Sequence, residues 1–389
     1  MKLGTTLRLA ARLAWRQLIH ERSKLIAAVL GVLFATLLVF MQQGFRDSLY
    51  DTAASAPKKL DGDIFILHRQ TEALWRTVQF ERPELMRTLS HPDVKDVTPV
   101  YIGQAPWKNP VTRGKRTLMV WGADPYSGAF NGAEVVPYAP LLVQSDNILF
   151  DRASRPEFGP VAELLEKGNV YSEINDRRVH VVGLVRIGTS FAADGNVITS
   201  DQNFFRMFPM RSPSMVDIGA VRLKEGADLN RVKRDLEALM DENVYVFTYD
   251  ELRQFELTYW QNGAPIGFIF GMGMVMGLVV GMVIVYQILF TDIMNHLSEY
   301  ATLKAMGYPH LYLVCVVFAE AMILALLGFF PGMIASLGLY DLAESFTYIP
   351  MPMPLDKIIN VFVMIFVMCF VSGLFAIKRL RKANPADMF

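Results

Sequence analysis

The sequence predicts an integral membrane α-helical protein: four transmembrane helices, with one large α+β domain outside the membrane between helices 1 and 2. Three observations carry this expectation. Of 389 residues, 52% are hydrophobic and the mean hydropathy is +0.27, values high for a soluble chain. Those apolar residues are gathered into four long runs, each near the roughly 20 residues needed to cross about 30 Å of hydrocarbon. The one long polar stretch, 47–262, lies between the first run and the second.

Residues 1–24 carry Arg8, Arg12 and Arg16 at intervals of four, one face of a helix. They read both as an amphipathic helix on the inner membrane surface and as a basic flank that orients the first span, two compatible readings. The first span is 25–46, with no ionisable side chain from Leu25 to Phe45. A cleaved signal peptide does not fit, because the charged leader and the apolar run are both too long. The second span is 263–291, within a stretch free of Asp, Glu, Lys and Arg from Leu257 to Thr291. Gly273, Gly277 and Gly281 recur there every four residues on one stripe, a helix-packing face between two copies of the chain or within one. Residues 292–309 form a short helix-prone loop, 310–340 the third span, 341–356 a short outer connection, 357–378 the fourth span and 379–389 a basic tail.

Orientation follows from the flanking cations. Lys2, Arg8, Arg12, Arg16, Arg22 and Lys24 precede the first span, and Lys378, Arg379, Arg381 and Lys382 close the last. Both termini are therefore expected in the cytoplasm, as four spans require, with 47–262 extracytoplasmic. Glu320, about ten residues into the third span, is an intramembrane polar group. It reads either as a contact that stabilises a packed or conducting state, or as a neutral hydrogen-bonded structural residue.

Within 47–262, two strand–helix–strand blocks flank an irregular middle. Asp63–Leu67, Pro83–Leu89 and Val97–Gly103 make the first, followed by a strand at Thr117–Trp121. Asp217–Leu223, Asn230–Met240 and Val244–Thr248 make the second, with strands at His180–Ile187 and Gly195–Thr199 between. An α+β domain carrying an inserted lobe follows.

The composition excludes several functions. Thirty-eight basic and 38 acidic residues give zero net charge and no field for nucleic acid. The two cysteines, Cys315 and Cys369, lie in apolar runs, so no disulfide framework braces the outer domain. No phosphate-binding Gly-rich loop with Lys-Ser/Thr occurs, no His-Glu-x-x-His, and no Gly-x-Ser-x-Gly elbow. The six histidines lack metal-ligand spacing, and Asp61-Gly-Asp63 reads as a turn before a strand. No catalytic or metal site is expected, and the chain is expected not to act alone as an enzyme.

The loop between spans two and three reads Thr291-Asp-Ile-Met-Asn-His-Leu-Ser-Glu-Tyr-Ala-Thr-Leu-Lys-Ala-Met-Gly307. A stiff helix closed by Gly307 and held between two spans is a mechanical lever. Glu299-x-x-x-Leu303-Lys304-Ala305-x-Gly307 resembles the coupling-helix motif of the FtsX/MacB superfamily of ABC-transporter permeases, and the likeness in layout extends over the whole chain. Leu13–Ile19, Phe40–Arg46, Glu299–Tyr308 and Ala383–Phe389 are similar to the DevC branch, the permeases of heterocyst-type DevBCA exporters.

The resemblance implies a non-catalytic permease homodimer in the bacterial inner membrane, bound to a separate ABC ATPase that holds ATP and magnesium. It implies mechanotransmission to the periplasmic domain, an adaptor (membrane-fusion) protein, a TolC-like outer-membrane channel, and export of a lipid, glycolipid or amphipathic compound. Coupling would fall to Glu299, Tyr300, Leu303, Lys304, Ala305, Met306 and Gly307. The porter lobe would comprise 47–125 and 213–262, and the inserted small lobe 126–212. FtsX-like control of cell-wall hydrolases and lipoprotein extraction of the LolC/LolE kind are the alternatives within the superfamily.

Overall fold

The structure, a computed structural model, describes residues 3–53, 58, 60–130, 132–263, 265–308 and 310–380, without the side chains of 3–8, 53, 132–133, 300–301, 304, 310 and 379–380. The tail motif 383–389 lies outside the described residues. The chain forms two compact units, Met1–Ser48 with Ile266–Phe389, and Leu49–Pro265.

With elements numbered in chain order, the helical unit contains α1 (Leu3–His20), most of α2 (Arg22–Ala53), α10 (Pro265–Asn295), α11 (Leu297–Ala305), α12 (His310–Thr347) and α13 (Leu355–Leu380). Arg22–Thr52, Pro265–Asn295, Leu311–Thr347 and Leu355–Lys378 are long and apolar enough to cross a membrane. The first and third overrun the apolar stretches read from the sequence, because hydrogen bonding continues past the apolar residues until a turn interrupts it. Ala10, Ala14 and Leu18, at i, i+4 and i+8 of α1, are buried in the core of this unit, while Arg12 and Arg16 are exposed.

Small residues set how closely the helices approach. A methyl group added at Gly328 of α12 would lie 2.4 Å from Val32 Cβ, so α12 meets α2 nearly backbone to backbone. The Tyr340 hydroxyl donates to the Phe40 carbonyl further along the same contact. Aromatic pairs join α12 to α13, Phe318 to Phe370 at 4.6 Å and Phe329 to Phe362 at 5.1 Å.

The second unit is built on β1 (Ile64–His68), β2 (Phe80–Glu81), α3 (Arg82–Arg87), β3 (Val94–Lys108) and β4 (Lys115–Gly122). Two short turns follow, α4 (Gly132–Val135) and α5 (Ala139–Leu142), then β5 (Asn147–Asp151), α6 (Val161–Lys167), β6 (Val170–Ile174) and β7 (Arg177–Val185). The unit ends with β8 (Asn196–Thr199), α7 (Asp201–Met207), β9 (Met215–Val216), β10 (Ile218–Leu223), α8 (Leu229–Leu239), β11 (Val244–Thr248) and α9 (Tyr249–Thr258).

Its main sheet runs β11-β1-β10-β3-β4-β8-β5-β7-β6, and a further pairing of β3 with β6 closes the last six strands into a barrel. The first four strands are all antiparallel and form the split β-α-β pattern, β1-α3-β3 and β10-α8-β11. Alternation decides the faces. Ile64 and Ile66 of β1 join Leu85 of α3 and Val232 and Leu236 of α8 in one core, while Phe65 and Leu67 join Leu252 of α9 in the other.

The fifteen-residue β3 is shared between lobes. Its first half pairs with β10, and its second half with β4 and, at Trp107 and Lys108, with β6. Strand 115–122, expected in the porter lobe, therefore lies in the barrel, and the two sets of strands meet within β3. Trp107 fills the barrel against Phe150 at 5.1 Å and donates its indole N–H to the Phe158 carbonyl at 2.9 Å.

Candidate functional site

Helix α11 is a nine-residue segment, about 14 Å long, between two apolar helices. Its end is closed by hydrogen bonds from Tyr308 N–H to the Leu303 carbonyl (3.1 Å) and from Met306 N–H to the Thr302 carbonyl (3.0 Å). Gly307 sits at φ +90°, the left-handed position such a closure requires. Leu303 packs against the core of the helical unit, so one face anchors the segment. The other offers Glu299, Thr302, Ala305, Gly307 and Met306, the last 63% exposed. The side chains of Tyr300 and Lys304 lie outside the described residues.

The glycine stripe packs within the chain. A methyl group at Gly273 would meet the Gln42 amide at 2.5 Å, one at Gly277 the Leu38 Cβ at 3.2 Å, and one at Gly281 both Ala35 Cβ and Met368 Sδ at 2.6 Å. All three therefore admit α2, and Gly281 also admits α13. The exposed apolar face of α10 is a different one, bearing Phe268, Met272, Val275, Val279 and Val283.

Glu320 is wholly buried in α12. Its carboxyl lies within hydrogen-bonding reach of that of Asp292, 28 positions earlier, near the end of α10. His296, one turn beyond Asp292, places Nδ1 3.0 Å from the Asp292 carbonyl and 3.5 Å from its Oδ1. At the α1–α2 junction Glu21 pairs with Lys24 and accepts from the Asn295 amide at 3.3 Å. The Lys24 hydrogen bond holds the Glu21 carboxyl below its usual range, with Lys24 and His296 charge assisting. Asp292 and His296 were not singled out in the sequence, where they look like ordinary polar residues of a loop. Their one signal is spacing, since i and i+4 on a helix share a face.

At the other end of α2, Lys357 is nearly buried and bridges Asp47 at 3.2 Å and the Pro352 carbonyl at 3.1 Å. Ser48 donates to the Pro350 carbonyl at 2.8 Å. This clamp joins α2 to the segment ahead of α13.

Residues 271–385 match the FtsX-like permease C-terminal family. The matched stretch takes in most of α10 and all of α11, α12 and α13, and so contains Glu299–Gly307, the glycine stripe and the Asp292–Glu320 pair. Comparison with curated proteins gives no match. Among solved structures, the chain is similar to the periplasmic region of MacB from Actinobacillus actinomycetemcomitans, with 13% identity, 51% of this chain and 93% of that chain covered, and a TM-score of 0.36. It is also similar to the extracellular domain of the noncanonic ABC-type transporter YknZ from Gram-positive bacteria, with 9% identity, 48% and 99% covered, and a TM-score of 0.33. With its four apolar helices, the chain is a membrane protein.

Proposed function

We propose that the chain is the membrane-spanning permease subunit of an ABC-type transporter, with α11 as the seat for a separate ATPase. The observation that carries the reading is the form of α11 within an FtsX-like permease domain. It is anchored on one side by Leu303, exposed on the other at Glu299, Ala305 and Met306, and stopped by Gly307. Force applied to such a segment reaches α10 and α12 together. In this reading ATP and magnesium belong to the partner.

The finer reading is a DevC-like homodimer in the inner membrane with both termini in the cytoplasm and the α/β unit in the periplasm. There an adaptor protein and a TolC-like channel would complete a route for a lipid, glycolipid or amphipathic substrate. Operon context distinguishes this from an FtsX-like signalling complex: an adaptor gene beside the ATPase gene favours export, a cell-wall hydrolase favours signalling.

The test is co-purification of an ATPase with the tagged chain, followed by ATPase assay of the complex. Gly307→Pro cannot adopt φ +90°, and Glu299→Ala removes an exposed anion from the seat. Each is expected to lower the ATPase activity stimulated by the permease at unchanged membrane levels. A tagged chain that brings down no ATPase, or two variants with undiminished stimulation, would overturn the proposal.

A further inference from the structure

The helical unit buries two neighbouring carboxyl groups, with no basic side chain bonded to Glu320 among the described residues. Glu320 is 0% exposed and Asp292 5%. Among the described residues, neither oxygen of Glu320 has a hydrogen-bond donor, and neither does Oδ2 of Asp292. Three buried acceptor oxygens on two neighbouring carboxyls thus have nothing to accept. A buried acceptor without a donor is strongly disfavoured, and two adjoining carboxylates cannot both stay ionised in a medium of low polarity. What the geometry lacks is one hydrogen on one of the two groups.

The charged surroundings also fit. From just past the end of α10, His296 faces Asp292; from the α1–α2 junction, Glu21 and Lys24 face it; from α12, Glu320 itself does. The contact of α13 with this stretch of α12, through Phe370 on Phe318 and Gly373 near Ala321, is apolar. His296 is 8% exposed, and the Glu21–Lys24 pair beside it reaches solvent, so the polar groups step inward as Glu21, His296, Asp292 and Glu320.

We propose that Asp292 and Glu320 form a proton-binding site, one proton shared between two carboxyls and exchanged with solvent past His296 at the α1–α2 junction. Binding forms one O–H bond on one carboxyl, which donates to an oxygen of the other. The charge of the pair changes from minus two to minus one, water at the junction supplies the proton, and no electron moves. Asp292 and His296 lie immediately before α11, and Glu320 lies on the helix after it, so the proton ties the two helices that flank the segment. Release of that proton sets two like charges against each other there. The inference stands independently of the ATPase reading above.

The test uses the full chain in lipid nanodiscs and infrared difference spectroscopy, with Glu256→Gln in every sample, the one called wild type included, so that the Glu256 carboxyl, pushed up to about 7, adds no band. At neutral pH the wild type is expected to show the carbonyl stretch of a protonated carboxyl, sensitive to deuterium exchange and lost on titration to alkaline pH. Glu320→Gln and Asp292→Asn should each abolish it. The amide of either variant can donate to the remaining carboxylate, so both should keep a wild-type melting profile, now independent of pH. A wild-type spectrum with no such band at neutral pH would overturn the proposal, as would a band that persists in both variants. The wild-type titration decides the matter even if a variant folds poorly. A band missing in sodium chloride that returns in choline chloride would show a metal cation between the carboxyls and would equally overturn it.

Discussion

Two carboxylates in this molecule are equally hidden from solvent and oppositely provided for. Asp217, between β9 and β10 in the α/β unit, is 0% exposed, as is Glu320 in α12. The Asp217 Oδ1 accepts from the Thr77 hydroxyl at 2.9 Å, while Oδ2 accepts from Ile102 N–H at 3.0 Å and from the Arg211 guanidinium. Burial pushes its carboxyl above the usual range, and Arg211 and the two other donors pull it back. Among the described residues Glu320 has no donor, and it has an acid for a neighbour. Burial alone therefore does not assign a role. A saturated carboxylate is a structural tie between segments, and an unsaturated one is a place where something binds.

The largest expected effect breaks the saturated member. Asp217→Ala strands the Arg211 charge and the Ile102 N–H, and should cost about 3–5 kcal/mol. Hydrogen exchange in β3 and β10 of the full chain reads this, and unchanged protection would remove the tie.

A third buried carboxyl, Glu256 of α9, sits between these extremes. It accepts from Leu74 N–H and from the Trp260 indole, yet burial pushes it from 4.5 up to about 7. Because the folded value is the higher one, its stabilising contribution is complete below about 4.5 and is lost as pH rises through about 7. The loss reaches at most about 3 kcal/mol, and Glu256→Gln should flatten it. Exchange rates around Leu74 and Trp260, followed against pH, would contradict this if wild type and variant ran parallel.

Smaller again is the glycine stripe. Gly281→Leu should cost about 1–3 kcal/mol through overpacking against Ala35 and Met368, and Gly277→Leu less, since its neighbour stands 0.6 Å further off (3.2 against 2.6 Å). Both should lower the melting temperature of the helical unit while leaving any dimer seen by cross-linking intact. A dimer lost without loss of stability would return the stripe to an interface between copies. The smallest effect is that of Glu320→Gln on stability at neutral pH, within about 0.5 kcal/mol, because one amide hydrogen takes the place of one proton.

Much of this could be read in the residues. The apolar runs are long because a membrane is thick, and no packing detail is needed to see them. β11 has the bounds Val244–Thr248 read from its β-branched and aromatic residues, and α8 starts at an Asp228 cap one residue before the helix read there. Strand β5 was not read, since Asn147–Asp151 takes its place from β7 and β8, tens of residues away. Strand β6 was not read either, although it pairs with β7 across the two-residue turn Asn175-Asp176, both residues at positive φ, a hairpin signal that the sequence does carry. The stop at Gly307 was legible because a left-handed position favours one residue type.

The site divides in the same way. Composition, run length and the Glu299–Gly307 pattern by themselves determined four long apolar helices and a short helix, stopped at Gly307, between two of them. Only the tertiary structure decided that Gly273, Gly277 and Gly281 face α2 of the same chain, that β3 serves two lobes at once, and that Asp292 stands against Glu320. The physical reason is that length, propensity and capping are properties of neighbouring residues, whereas a helix face or a buried carboxyl has no meaning until its partner, tens of residues away, is folded against it.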